Sequence, residues 1–268
     1  MSNLKSFVKT TLRSAVIPAR NTLARVQARS PRPPRFTGAY KSYAEAVSNT
    51  RKSSLIGYDN DEIVSVSQEA MTQIASWDYP VLFWLDRLLK PQAHILDAGG
   101  HVGTKFLAFR RLLDLRDISW TVYDLPALVR AGKKMLAEDA SIKGLGFSDD
   151  LAAVAHVDIL LASGLMQYLD KSLAQLISEL PNPPDKIILN KVATRDGETI
   201  VTLEQIGNAQ VAYQIRNRQM LQQSFQDADY EIVDDWVIPD LAHRITTHQQ
   251  FGPSASRGYV LSRKIGWF

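Results

Sequence analysis

The chain has 268 residues, 45% apolar and 22% charged, with 14 Gly and 12 Pro. This is the composition of a folded globular protein, long enough for one large domain or a domain with an appendage. Zero cysteine excludes disulfides, thiolate nucleophiles and every cysteine-ligated zinc or iron–sulfur site. Residues 1–36 carry eight Lys and Arg and no acid, leaving 23 basic against 28 acidic residues elsewhere. The basic character therefore belongs to the N-terminus, and no nucleic-acid partner is expected for the folded part.

No run approaches the roughly 18–20 apolar residues of a membrane span, and the start lacks the apolar block of a secretory signal. A soluble, cytoplasmic protein is expected. In the tail, Leu4, Phe7, Val8, Leu12, Ala15 and Val16 share one helical face with Lys9 and Arg13 on the other, and Pro18 is expected to stop or kink that helix. Three readings stay open for residues 1–30. One is a solvated extension, closed by the Ser30-Pro31-Arg32-Pro33-Pro34 linker. Another is an amphipathic segment on an anionic membrane, which would make the protein peripheral at the inner membrane. The third, in a eukaryotic source, is a transit peptide.

The remainder divides into a helical N-terminal attachment over 36–92 and a nucleotide-binding domain over 93–268. In the attachment, Tyr40, Tyr43 and Ala44 to Val47 suggest a short helix and Gly57-Tyr58-Asp59 a turn; 62–76 and 79–90 read as helices. From residue 94 strands and helices alternate: strand 94–98, helix 103–115, strand 120–124, helix 126–138, strand 144–147, strand 157–162, helix 170–180 and strand 186–192. Such alternation implies right-handed crossovers and a mostly parallel sheet covered on both faces, a Rossmann-like doubly wound α/β fold. Residues 211–227 read as helix, 230–237 and 258–263 as strands, and 238–257 as loop. Two strands joined without a helix are most simply antiparallel.

The most informative stretch is His94-Ile95-Leu96-Asp97-Ala98-Gly99-Gly100-His101-Val102-Gly103. A buried strand delivers the chain to a tight glycine turn, where absent side chains let the backbone approach a ligand and the next helix presents its first amides. Asp124 follows Gly103 by 21 residues, at the end of the next strand, placed to accept hydrogen bonds from ribose hydroxyls. A dinucleotide fingerprint, G-x-G-x-x-G, would need glycine at Ala98. The pattern D/E-x-G-x-x-x-G of methyltransferases is met by Asp97, Gly99 and Gly103, and the antiparallel finish agrees with that layout.

At these residues the sequence resembles a group of class I S-adenosylmethionine (SAM) dependent methyltransferases often encoded among genes for bacterial surface polysaccharides. The resemblance covers about residues 36–264, through Phe36-Thr37-Gly38-Ala39-Tyr40, Gly57-Tyr58-Asp59, Leu96-Asp97-Ala98-Gly99-Gly100, Val122-Tyr123-Asp124-Leu125-Pro126, Ser163-Gly164-Leu165-Met166-Gln167-Tyr168-Leu169 and Gly258-Tyr259. It implies SAM as cofactor and methyl transfer to oxygen or nitrogen of a small-molecule or glycan acceptor. On that basis Gly99, Gly100 and Gly103 would line the methionine and ribose portion, Asp97 would hold the turn or the ammonium group, and Asp124 the ribose. The Phe147-Ser148-Asp149-Asp150 segment falls where such folds place adenine, with Asp149 for its amine; a helix N-terminus explains these acids equally well.

Ser163, Gln167 and Tyr168 follow a strand at the carboxyl edge, facing the methyl or the acceptor, although Tyr168 also reads as packing. A hydroxyl acceptor needs its proton removed, usually by histidine. His94 and His156 flank buried strands and read as structural, and His101 lies in the turn. His243 and His248 occupy the loop before the last strand, with His243 the candidate base. No metal-ligand spacing is recognisable. Two other functions remain open: a nicotinamide-dependent sugar oxidoreductase or epimerase, disfavoured by Ala98 and the missing Tyr-x-x-x-Lys pair, and a non-catalytic nucleotide-binding module.

Overall fold

The computed structural model describes residues 16–30, 32–51, 55–56 and 72–264. Up to residue 15, the helix expected before Pro18 lies outside the described residues; residues 16–27 are helical, with Pro18 in the first described turn. Its Asn21 and Ala24 are buried, and Asn21 exchanges hydrogen bonds with Gln249 N–H and the Gln250 side chain. The chain continues through β1 (Phe36–Tyr40), α1 (Tyr43–Ser48), the two-residue β2 (Leu55–Ile56) and α2 (Tyr79–Leu88). Then come β3 (His94–Ala98), α3 (Thr104–Phe109), β4 (Ser119–Tyr123), α4 (Pro126–Glu138), β5 (Leu145–Ser148) and β6 (Ile159–Ser163). Last are α5 (Leu173–Ser178), β7 (Lys186–Arg195), β8 (Ile200–Ile206), β9 (Ala209–Asn217), α6 (Arg218–Asp227), β10 (Tyr230–Ile238) and β11 (Ala255–Arg263).

The central sheet has the order β5-β4-β3-β6-β7-β11-β10, with β5 through β7 parallel and β11 antiparallel to both its neighbours. This is the expected Rossmann-like, mostly parallel layout finished by an antiparallel strand pair. Its strands bury alternate residues on opposite faces, as the pleat requires. Ile95, Trp120, Val122, Ile159, Leu161 and Ile188 pack on α2, α3 and α4, whereas Leu96, Leu160, Ala162, Ile187, Leu189 and Tyr259 pack on α5 and α6. The elements expected over 120–124, 126–138, 186–192 and 230–237 lie within a few residues of those observed; α3 is shorter than the 103–115 expectation.

One expectation fails clearly. Residues 211–217, expected as the start of a helix over 211–227, belong instead to β9 (Ala209–Asn217), which is hairpinned to β8 through Gly207-Asn208 with Ile206 opposite Ala209. Gly207 has φ +55°, as the first position of a two-residue hairpin turn demands. The helix starts only at Arg218, where the Asn217 side chain accepts Met220 N–H at 2.8 Å. β1 adds to this hairpin antiparallel to β8, and β2 pairs with β9. The attachment is therefore helical in α1 and α2 but also supplies an edge strand, because Phe36 buries against Tyr213 and Ile215. The tail positions Leu4 to Ala15, the turn at 57–59 and most of the 62–76 helix lie outside the described residues; 72–75, which are described, are not helical.

Candidate active site

The carboxyl ends of β3, β4, β5 and β6 open into a cavity of about 710 Å³, roofed by α1, β9 and the β10–β11 connection. This size is ordinary for a small-molecule site, roughly 300–1,000 Å³. One half is lined by Gly99, His101, Tyr123, Asp124, Leu125 and Asp149, with Ser163 and Leu165 at the centre. The other half has Arg35, Tyr43, Tyr168, Lys191, Tyr213 and His243.

In the first half the glycine turn is built by sterics. Gly99 and Gly103 have φ +75° and +79°, and His101 between them has φ +57°. Gly99 N–H donates to Tyr123 O at 2.8 Å, tying the turn to β4. A Cβ on Gly100 would stand 2.5 Å from Asp97 Oδ2, so the carboxylate fills the space beneath the turn. Asp97 is 1% exposed and accepts from Trp120 Nε1 at 3.2 Å. Burial raises its pKa to about 7, opposed by the Trp120 hydrogen bond and Lys105. Asp97, Gly100 and Gly103 thus shape the turn from behind, whereas Gly99 borders the cavity.

Asp124 accepts His101 N–H on Oδ2 and Leu125 N–H on Oδ1, both at 2.8 Å. Burial raises its pKa, and these two amides oppose the shift. The amides fix the carboxylate rigidly, and each oxygen retains a lone pair for a further donor. Asp149 lines the cavity, whereas Asp150 caps the following turn by accepting Ala152 N–H at 2.9 Å. Ser163 is held by Asn190 Nδ2 at 3.3 Å, and the same amide donates to Trp77 O.

In the second half, Glu204 is 1% exposed and receives the Arg35 guanidinium at 2.7 Å and the Tyr168 hydroxyl at 2.7 Å. The Arg216 guanidinium donates to the carbonyls of Met166, Leu169 and Lys171, pinning the loop that carries Tyr168. His243 packs against Phe36 with centroids 4.8 Å apart and the rings tilted by 31°. Burial, and secondarily Arg35, lowers its pKa to about 4, so its imidazole is neutral at pH 7. His248 bonds Thr247, and His94 is tied to His156 O and Thr121 Oγ1; neither lines the cavity.

Sequence reading missed Arg35, Glu204, Tyr213, Lys191 and the buried pair of Lys105 with Asp78, whose oxygens both lie 2.7 Å from the ammonium. The Gly207-Asn208 turn between alternating apolar residues was the signal for the hairpin that brings Glu204 and Tyr213 in. Among the described residues there is no His/Asp/Glu group able to hold a metal, and no helix is long and apolar enough to cross a membrane.

A scan of protein-family models and a search of curated proteins find no match. Similar solved structures include a Burkholderia thailandensis 1,6-didemethyltoxoflavin-N1-methyltransferase with bound 1,6-didemethyltoxoflavin and S-adenosylhomocysteine, at 17% identity over 71% of this chain and 79% of that one, TM-score 0.48. Magnesium protoporphyrin IX methyltransferase from Synechocystis PCC 6803 with bound SAM is similar at 17% identity over 74% and 79%, TM-score 0.46. A glycopeptide N-methyltransferase complexed with SAM is similar at 13% identity over 72% and 96%, TM-score 0.47.

Proposed function

We propose that the protein is a SAM-dependent methyltransferase acting on an oxygen or nitrogen of a small acceptor, for which the sequence resemblance implies a sugar or glycan precursor. The observation that carries the reading is the cavity at the carboxyl edge of β3 and β4, where Gly99 leaves the backbone bare and Asp124 presents a fixed carboxylate. These residues fit the cofactor. Gly99 admits its methionine portion, Asp124 the ribose hydroxyls, and Leu125, Leu128 and Asp149 an adenine ring and its amine. When bound, SAM supplies a methyl group already activated on sulfur.

The chain's part is then alignment and proton removal. Tyr168 and His243 are the candidates on the acceptor side. Tyr168 is oriented by Glu204, and His243 is a neutral ring at pH 7, although its lowered pKa makes it a weak base. The reversed strand β11 favours this reading over a nicotinamide-dependent enzyme, whose sheet would continue in parallel.

The helical segment 16–27 supports peripheral contact with an anionic membrane: Leu23 and Val26 are 70% and 66% exposed, and Arg20, Arg25 and Arg29 accompany them. Calorimetric titration with S-adenosylhomocysteine beside NAD tests the cofactor. Micromolar binding of the former alone is expected. Binding of NAD alone refutes the proposal, and binding of neither leaves the non-catalytic module.

A further inference from the structure

Lys191 occupies a β-bulge. Leu189 pairs with Tyr259 and Val192 with Arg257, so Asn190 and Lys191 stand opposite the single residue Gly258. Lys191 has φ +58°, a left-handed conformation that costs a residue with a side chain and persists where its surroundings impose it. Here Asn190 imposes it through bonds to Trp77 O, Ser163 Oγ and Trp236 Nε1. Trp236 in turn lies across Gly258, where a Cβ would meet the indole at 2.0 Å. Bulges of this kind re-aim a side chain beside a site, and the Lys191 side chain lines the cavity. Gly164 beside it, at φ +90°, leaves the amine uncovered; a Cβ there would stand 3.3 Å from Nζ.

An ammonium has three donors and no acceptor, yet among the described residues Lys191 makes no hydrogen bond or ion pair. Its charged neighbours are already matched. Asp78 belongs to Lys105, Arg35 on the far wall belongs to Glu204, and burial holds Asp97 toward its neutral form. Desolvation, and next the Lys105 charge, lowers the Lys191 pKa to about 8, which leaves it mostly protonated at pH 7.

We infer that Lys191 is an anion-binding point of the cavity, holding a carboxylate or phosphate of a bound molecule. The methyltransferase reading enters only in naming two sources for that anion: the amino-acid end of the cofactor, or an acidic group on the acceptor.

Full-length wild type, Lys191→Met and Lys191→Arg are titrated at constant ionic strength with three probes. These are S-adenosylhomocysteine, 5′-methylthioadenosine, which lacks the carboxylate, and inorganic phosphate, with and without saturating S-adenosylhomocysteine. Lys191→Met is expected to melt at or above wild type, since it removes a desolvated charge, and to lose tenfold or more in one arm. Weakened S-adenosylhomocysteine with unchanged 5′-methylthioadenosine assigns the anion to the cofactor. Unchanged nucleosides with lost phosphate binding assign it to the acceptor. Lys191→Arg keeps the affected arm within a few-fold.

A folded Lys191→Met that binds all three probes as wild type does overturns the inference. So does a wild type that neither prefers S-adenosylhomocysteine over 5′-methylthioadenosine nor binds phosphate. If wild type binds neither nucleoside, the cofactor reading fails, and phosphate alone decides the role of Lys191.

Discussion

Replacing Asp124 by alanine should weaken S-adenosylhomocysteine binding while leaving the fold intact. Its two oxygens accept one backbone N–H each, at 2.8 Å, from His101 and Leu125, so their remaining lone pairs are aimed before any ligand arrives. Hydrogen bonds to a charged group contribute about 1.5–3 kcal/mol, which corresponds to roughly a 10- to 150-fold loss in affinity. The same substitution strands two amides near the surface of the turn, at a cost in stability of about 1–3 kcal/mol. Relief of the desolvation that raises the Asp124 pKa partly offsets that cost. Calorimetric titration at pH 7.5, with melting temperatures recorded alongside, separates the two effects. A 2′,3′-dideoxy analogue should bind wild type and variant almost equally, because it has no ribose hydroxyls for the carboxylate to receive. Wild-type affinity of Asp124→Ala for S-adenosylhomocysteine, or an equal loss for the dideoxy analogue, would refute the ribose assignment.

Asp78→Ala leaves the Lys105 ammonium buried without its two oxygens at 2.7 Å, and urea unfolding should show a loss of about 3–5 kcal/mol; a loss below 1 kcal/mol would mean that water or another acid replaces the pair. Asp97 is an acid whose native pKa, about 7, lies above its unfolded value of 3.8. The native state therefore keeps a proton that the unfolded chain has lost, and stability falls as pH rises from about 4 to about 7, by up to about 4 kcal/mol. Asp97→Asn should remove this slope, and parallel stability curves for variant and wild type between pH 4.5 and 7.5 would contradict the burial argument. In the tail, Leu23→Asp with Val26→Asp should abolish co-sedimentation with anionic vesicles; undiminished binding by the variant, or none by wild type, would refute the proposed membrane role of this segment.

The parallel sheet was legible because β3, β6 and β7 are short apolar runs buried on both faces, β4 and β5 alternate buried with less buried residues, and two of the crossover helices carry their own boundary chemistry. Pro126 opens α4, and the Ser172 hydroxyl accepts Gln175 N–H to open α5. The β8–β9 hairpin carried a local signal in Gly207-Asn208, but Val211-Ala212-Tyr213 is buried without interruption, and so short an apolar run does not distinguish strand from helix. β1 was missed for a related reason: its stability comes from pairing with β8, 160 or more residues away in sequence, which no local pattern records.

The same distinction divides the site. Gly99, Asp124, Asp149 and Ser163 sit on the four strand ends that a single alternating pattern puts side by side, so a reader of the sequence can line them up without knowing any tertiary contact. The acceptor side is assembled across the whole chain: Arg35 with Glu204, Tyr43 with Tyr168, Phe36 with His243. Its chemistry also depends on burial rather than residue type. The histidine singled out as a base is held neutral with a pKa of about 4, while one charged group reaching the cavity is a lysine whose position follows from one extra residue in β7. A bulge adds no motif to the sequence, yet it decides which of two consecutive side chains, Asn190 or Lys191, lines the cavity. The cofactor half of such a fold can therefore be read from spacing, whereas the acceptor half must be read from register. For that reason the Lys191 variants, rather than a search for further motifs, are the direct test of which bound molecule carries the anion.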